Sequence, residues 1–204
     1  MKKVLVFISL AMMLYVSSCY TKDDKETTKN GEGQTVQPAP GVSKQDKIQR
    51  GEYLVNVIGC GDCHAPKKMT EKGPAPDMDR YLSGFNSTQP MPKFDTKVMQ
   101  RDQVAMFNPE LTAAAGPWGV SFAANLTPDE TGIGNWTLDN FKRALKQGKY
   151  KGLENSRDLL PPMPWTNFKN LKDDDVESIF LYLKSLKPVS NRVPDAIPPA
   201  GTKS

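Results

Sequence analysis

The stretch GCGDCHAPKK, Gly59–Lys68, holds two of the three cysteines in the 204-residue chain and its single histidine. Soft and imidazole ligands are thus gathered at one spot, with no second histidine anywhere. A Cys-x-x-Cys pair in an exported protein can be a disulfide or dithiol, but a thioredoxin-like pair belongs to a strand–helix context. Here a helical pattern precedes the pair and a proline follows it closely. Zinc needs about four ligands, and neither a second histidine nor a nearby third cysteine supplies them. The spelling Cys60-Gly61-Asp62-Cys63-His64 is instead the attachment pattern of a c-type haem. Two thiols at this spacing reach both vinyl groups of one haem edge and form thioethers, and the next residue offers an imidazole to the iron. Cys60 and Cys63 are therefore the candidate covalent attachments of one haem c, with His64 the candidate proximal ligand. The second ring nitrogen of His64 is expected to donate to a backbone carbonyl, which orients the ring.

A second axial ligand has to come from another residue type. Methionine is the natural candidate for an electron carrier, because Met/His ligation raises the reduction potential. Six methionines lie beyond the N-terminal apolar run: Met69, Met78, Met91, Met99, Met106 and Met163. Two of them, Met91 and Met163, share the local spelling Pro-Met-Pro, in which fixed proline dihedrals stiffen the approach of the sulfur. Either loop could thus present the second ligand, Met163 or Met91, with most other methionines packing around the porphyrin. Tyr81, Trp118, Asn125, Trp136 and Trp165 are candidate donors to the haem propionates; plain core packing is the competing reading for each.

Three segments carry helical signals. Gln45 to Ile58 places Ile48, Gly51, Val55 and Ile58 on one face. A second helix begins at Thr137 as N-cap, with Trp136 and Phe141 at hydrophobic-staple positions and Gly148 as terminator. A third starts near Asp173, with Asp173, Asp174 and Asp175 against the positive helix end and Lys184 and Lys187 at the other. Its apolar stripe is Val176, Ile179, Phe180 and Leu183, and Pro188 stops it. No strand alternation of useful length is visible. The long Pro- and Gly-rich stretch between His64 and Asn125 reads as loops and short helices wrapped on a cofactor. The expected fold class is all-α.

This arrangement resembles the class I c-type cytochromes. In that fold an N-terminal helix leads into CxxCH and crosses a C-terminal helix at a glycine–aromatic contact, which implies that Gly51 meets Phe180 or Tyr182. Two further stretches, NLTPDETGIGNWT (Asn125–Thr137) and LLPPMPWTNFKNLKDDDVESIFLYLKSLKP (Leu159–Pro188), are similar to the cytochrome subunits that accept electrons from membrane-bound alcohol and sugar-acid dehydrogenases. The resemblance covers about Arg50 to Pro188. It implies a class I cytochrome c-like fold with a long Pro/Gly-rich loop insertion around the haem. It also implies Met163 as axial ligand, since the family places that residue shortly before the last helix.

Outside this region the chain changes character. Lys2 and Lys3 precede an apolar run from Val4 to Val16, a length that fits a secretory signal and is too short to span a bilayer. Val16-Ser17-Ser18-Cys19 resembles the lipobox of bacterial lipoproteins, so residues 1–18 are expected to be a signal peptide and Cys19 a lipidation site. An ordinary cleavage site before a free cysteine is the alternative. Several acyl chains on one residue anchor stably, and Tyr20 at the following position favours the outer over the inner membrane. Residues 19–43 form the anchor and a polar linker of roughly 25–30 Å root-mean-square span. Residues 44–188 form the haem domain, and 189–204 a Pro-rich tail, either a surface strap or disordered.

The overall net charge is +4, of which Lys2 and Lys3 carry two units, and the composition of 38% hydrophobic and 25% charged residues is ordinary for a globular protein. The basic residues are scattered, which excludes a nucleic-acid footprint. The basic run Lys142–Gly152 reads either as a guide for an acidic partner or as a solvated helix face. The expected function is a membrane-tethered, monohaem c-type cytochrome, not an enzyme, carrying single electrons between a dehydrogenase-type donor and a respiratory acceptor such as an oxidase or another cytochrome. The haem domain is expected to be periplasmic or surface-facing. Rival readings are a haem peroxidase or gas sensor with an open sixth position, and a haem subunit bound permanently into a dehydrogenase complex.

Overall fold

A computed structural model describes residues 41–199. The expected signal peptide, Cys19, most of the linker and the last five residues lie outside the described residues.

The first helix, α1 (Lys44–Ile58), starts at a capping box. The Ser43 hydroxyl accepts the Asp46 N–H at 3.1 Å while the Asp46 carboxylate accepts the Ser43 N–H at 3.0 Å, so two orphan helix donors are satisfied at once. Gly59 closes α1 and leads directly into the short helix α2 (Cys60–His64). The last long helix, α6 (Asp173–Ser185), crosses α1. A Cβ on Gly51 would run into the backbone carbonyl of Ser178 and lie 2.8 Å from the Tyr182 Cβ. The expected glycine–aromatic crossing is therefore present, with Tyr182 rather than Phe180 at the contact. Lys47–Glu177 at 2.8 Å and Arg50–Asp175 at 2.9 Å pair charges along the same crossing.

Helix α4 (Leu138–Gln147) begins at Thr137, whose capping box with Asn140 mirrors that of α1, and ends at Gly148. Asp173 at the head of α6 accepts both Lys142 at 3.1 Å and Lys146 at 2.6 Å, tying α4 to α6. The core lies among these helices: Leu54 and Val55 from α1, Phe141 from α4, Val176, Ile179, Tyr182 and Leu183 from α6, with Leu82 and Ile133 from the connections.

The all-α expectation is corrected by the segment between α2 and α4. Five strands lie there, in two antiparallel sheets. β1 (Lys67–Thr70) pairs with β2 (Gly73–Pro76) in a hairpin immediately after α2. Helix α3 (Thr96–Asp102) follows, and then β3 (Met106–Phe107), β4 (Ala113–Gly116) and β5 (Gly119–Phe122) form a three-stranded sheet in that order. The chain is a mixed α and β structure, and the long connection is built from these strands rather than loops and short helices alone.

The physical reason is that alternation marks a strand only when one face is buried and the other wet. Ala113, Ala114 and Ala115 of β4 are all buried, so nothing alternates. In β1 three of four residues are exposed, and β2 carries Pro74 and Pro76, which only an edge tolerates.

The chain after α6 is built into the domain. Asn191 is buried and donates to the carbonyls of Ser83 at 2.7 Å and Phe85 at 2.8 Å. Ile197 bridges Val120 of β5 through both backbone bonds.

Candidate functional site

The two cysteines of α2 stand one helical turn apart, on one face. Neither is in a disulfide. Burial pushes the Cys60 thiol up to about 11 and raises that of Cys63, so both sulfurs are protonated thiols at neutral pH. That disfavours a reactive redox dithiol, whose attacking sulfur needs a lowered thiol pKa. Among the described residues no group of three or more His, Cys, Asp or Glu side chains converges to hold a bare metal ion.

His64 closes the same turn. Its Nδ1–H donates to the Ala124 carbonyl at 2.8 Å, as expected of a ring whose outer nitrogen is to serve as a ligand. Burial lowers its pKa, with the Ala124 bond acting in the opposite sense. The neutral tautomer with its proton on Nδ1 leaves the Nε2 lone pair free.

The surroundings hold this turn from several directions. Gly84 donates to the His64 carbonyl at 2.7 Å, and Phe85 donates to the Ala123 carbonyl at 2.9 Å. Gly84 adopts φ 78°, and a Cβ there would collide with the Ala123 carbonyl. Lys67 Nζ donates to the carbonyls of Asp62 at 2.6 Å, Ala65 at 3.2 Å and Glu110 at 2.9 Å, collecting the end of α2 and the loop before β4 on one cation. The Tyr81 ring packs over Gly61, and its hydroxyl donates to the Asn56 side chain at 3.1 Å.

Met163 is half-buried in the loop between α4 and the short helix α5 (Trp165–Phe168). Ser121 of β5 reaches that loop, its hydroxyl donating to the Pro161 carbonyl at 2.6 Å. Met91, the alternative, is exposed, at 44% of its surface.

The remaining candidates divide. Asn125 is buried and its amide is fully engaged by the protein: Oδ1 accepts from Thr127, and Nδ2 donates to Thr131 and to the carbonyl of Val189 at 2.8 Å. The Trp118 indole donates to Ser121 at 3.3 Å. Trp136 is half-buried against the helical core. The Trp165 ring lies on Gly148, where a Cβ would overlap it. The basic run is largely consumed within the fold, Lys142 and Lys146 by Asp173, Lys149 by Asp158 at 2.8 Å, and Arg143 by the Gly152 carbonyl.

Lys67, Ser121 and the Ala124 carbonyl were not legible as site residues. A lysine, a serine and a backbone oxygen carry no motif of their own, and only their tertiary placement makes them partners of the site.

Two thiols on one helical face and an oriented imidazole fit a covalently attached haem.

No family model matches the chain. Among curated proteins, the cytochrome c subunit of a quinone-dependent alcohol dehydrogenase from Gluconobacter oxydans is 39% identical over 152 residues, covering 72% of this chain and 24% of the relative. The fructose dehydrogenase cytochrome subunit of Gluconobacter japonicus is 28% identical over 163 residues, 78% of this chain and 26% of the relative. The gluconate 2-dehydrogenase cytochrome c subunit of Pantoea cypripedii is 27% identical over 151 residues, 73% of this chain and 25% of the relative. The chain thus spans about a quarter of the length of these relatives. Over most of its length, this chain resembles the cytochrome c subunits of alcohol, fructose and gluconate dehydrogenases.

Proposed function

We propose that the chain is a c-type cytochrome module that passes single electrons from a dehydrogenase-type donor to a respiratory acceptor. The haem would supply reversible one-electron chemistry at its iron. The observation that carries the reading is the α2 turn: two unpaired thiols on one face, followed by an imidazole whose Nδ1 is committed to Ala124. Cys60 and Cys63 would hold the haem by thioethers, His64 would present Nε2, and Met163 would present its sulfur from the opposite loop. A neutral thioether favours reduced iron and so raises the potential. Keeping two protein ligands in both oxidation states leaves little to rearrange when an electron arrives or leaves. The rest of the chain excludes water and orients these groups, and no side chain is assigned a role as acid, base or nucleophile.

The reading extends to one haem per chain, an exported domain and a lipid anchor at Cys19, with the outer membrane as its address. Fatty-acid labelling that is lost in Cys19→Ser tests the anchor; equal labelling of both proteins rejects it.

Attachment is tested by acid–solvent extraction. Wild-type haem stays with the denatured chain, and Cys60→Ala or Cys63→Ala impairs its retention; freely extractable wild-type haem overturns the reading. Optical spectra test the carrier role. A weak far-red sulfur–iron band in the ferric protein supports it, whereas its absence with ready binding of carbon monoxide points to a peroxidase or gas sensor. A second reading, a subunit held permanently within a dehydrogenase complex, is favoured by the relatives being named as subunits. Co-purification at a fixed ratio with a dehydrogenase distinguishes it from a free carrier.

A further inference from the structure

Three of the four residues from Pro161 to Pro164 are prolines and lack an N–H. The loop therefore has few ways to be held. The Met163 N–H turns back to Leu160 at 3.3 Å, and the Pro164 carbonyl serves Asn167 within α5. Among the described residues, the long-range hydrogen bond to this loop comes from Ser121, whose hydroxyl donates to the Pro161 carbonyl at 2.6 Å. The same oxygen accepts the Trp118 indole N–H at 3.3 Å and approaches the Ala114 carbonyl at 3.4 Å. A hydroxyl that accepts one bond while donating another is polarised and fixed in direction, which strengthens both.

Ser121 also stands three residues before Ala124, the acceptor of His64 Nδ1. Three extended residues cover about 10 Å. One run of chain thus tethers the His64 ring at one point and the Met163 loop at another.

We propose that Ser121 is the positioning residue for Met163, holding its loop against β5 so that the sulfur stays on the iron. The inference rests on the reading of Met163 as axial ligand. A ligand on a tethered loop dissociates less often, so a competitor from solvent finds the position open less frequently. Loss of a net hydrogen bond should show as a several-fold gain in competitor binding, roughly threefold to tenfold.

The test is imidazole titration of the ferric, haem-loaded, full-length protein, read with the far-red band. Ser121→Ala should bind imidazole several-fold more tightly and show a weakened band, while Ser121→Thr, which keeps the hydroxyl, should restore both. Met163→Ala should lose the band and bind imidazole tightest of all. Adding Ser121→Ala to Met163→Ala should then change nothing, which separates positioning of this sulfur from a general loosening of the fold. If Ser121→Ala does not fold, Ser121→Cys, with a similar shape and a weak donor, is read in the same way. The proposal fails if Ser121→Ala titrates like wild type while Met163→Ala still loses the band. It also fails if Ser121→Ala shifts binding equally in the Met163→Ala background. An unchanged Met163→Ala overturns instead the assignment of Met163 itself.

Discussion

The two walls of the candidate site are held in opposite ways. On the His64 side, α2 follows α1 directly through Gly59, its last carbonyl is taken by Gly84, its end is gathered by Lys67, and the ring itself is bound to Ala124. On the Met163 side, a proline-rich loop hangs between Gly148, which accepts the Leu159 N–H at 2.6 Å, and a single serine. The difference teaches where precision is needed. The two cysteines of α2 and the neighbouring imidazole form one unit that several ties over-determine. The loop that carries Met163 is held by few ties among the described residues and is open to adjustment through residues outside it.

Substitutions on the His64 side should therefore fail broadly, and those on the Met163 side should be graded. The largest effect is expected at Gly84. Gly84→Ala forces a side chain into a left-handed conformation and against the Ala123 carbonyl, costing about 3 kcal/mol when strain and overpacking are combined. In a domain of this size that lowers Tm by roughly 6–12 °C, and thermal unfolding monitored by circular dichroism measures it. A loss within a degree or two would mean that the His64 wall is softer than its hydrogen bonds indicate.

Lys67→Met is next. It keeps much of the apolar stem but strips one donor from three carbonyls. Water can replace part of what is lost, so about 1–3 kcal/mol is expected, read as a shift in urea midpoint with unchanged slope. A change of slope would instead indicate that the end of α2 has come apart.

On the opposite wall, Met163→Ala and Met91→Ala sharpen the contrast. Met163→Ala should abolish the far-red band of the ferric protein and lower its potential, with only about 1–2 kcal/mol of stability lost from a half-buried loop position. Met91→Ala should leave band and potential unchanged. Exchange of these two outcomes would move the ligand to the stretch between α2 and α4.

The smallest effect belongs to Asp173, which braces the helices behind both walls. Lys146 and then Lys142 hold its carboxyl below the usual carboxylate range. A depressed carboxylate contributes stability above its unfolded pKa and loses that contribution as pH falls through the folded value. Asp173→Asn should consequently flatten the acid side of the stability profile, slightly and only at low salt, because exposed pairs are screened. Denaturant midpoints for both proteins at pH 7 and pH 3 give the comparison.

Legibility followed the range of the interactions involved. Thr137 and Gly148 declared their helix ends because capping is settled within four residues of chain, and Asp173 to Asp175 did so because acidic charge in the first turn is equally local. Periodicity put Gly51 on the apolar face of α1 and the family resemblance implied its crossing with Phe180 or Tyr182; the structure shows Tyr182 there. The sheets escaped because the three alanines of β4 are all buried and β1 is almost wholly exposed, so neither writes a period-two pattern. Asn125, expected among propionate donors, spends its amide on Thr127, Thr131 and Val189. Those bonds span up to 64 residues, and composition near Asn125 holds no trace of them.

By itself the sequence determined that Cys60, Cys63 and His64 stand together, because three side chains within five residues are juxtaposed by covalent connection and one helical turn. It also determined the long helices, whose caps and apolar stripes are local. Only the tertiary structure decided that His64 Nδ1 meets Ala124, that Ser121 meets Pro161, and that five strands are built into what was expected to be a wrapping of loops and short helices. Each of these is a backbone hydrogen bond or a bond to backbone across a long stretch of chain. Every residue offers nearly the same carbonyl, so which one is used depends on where the fold brings it.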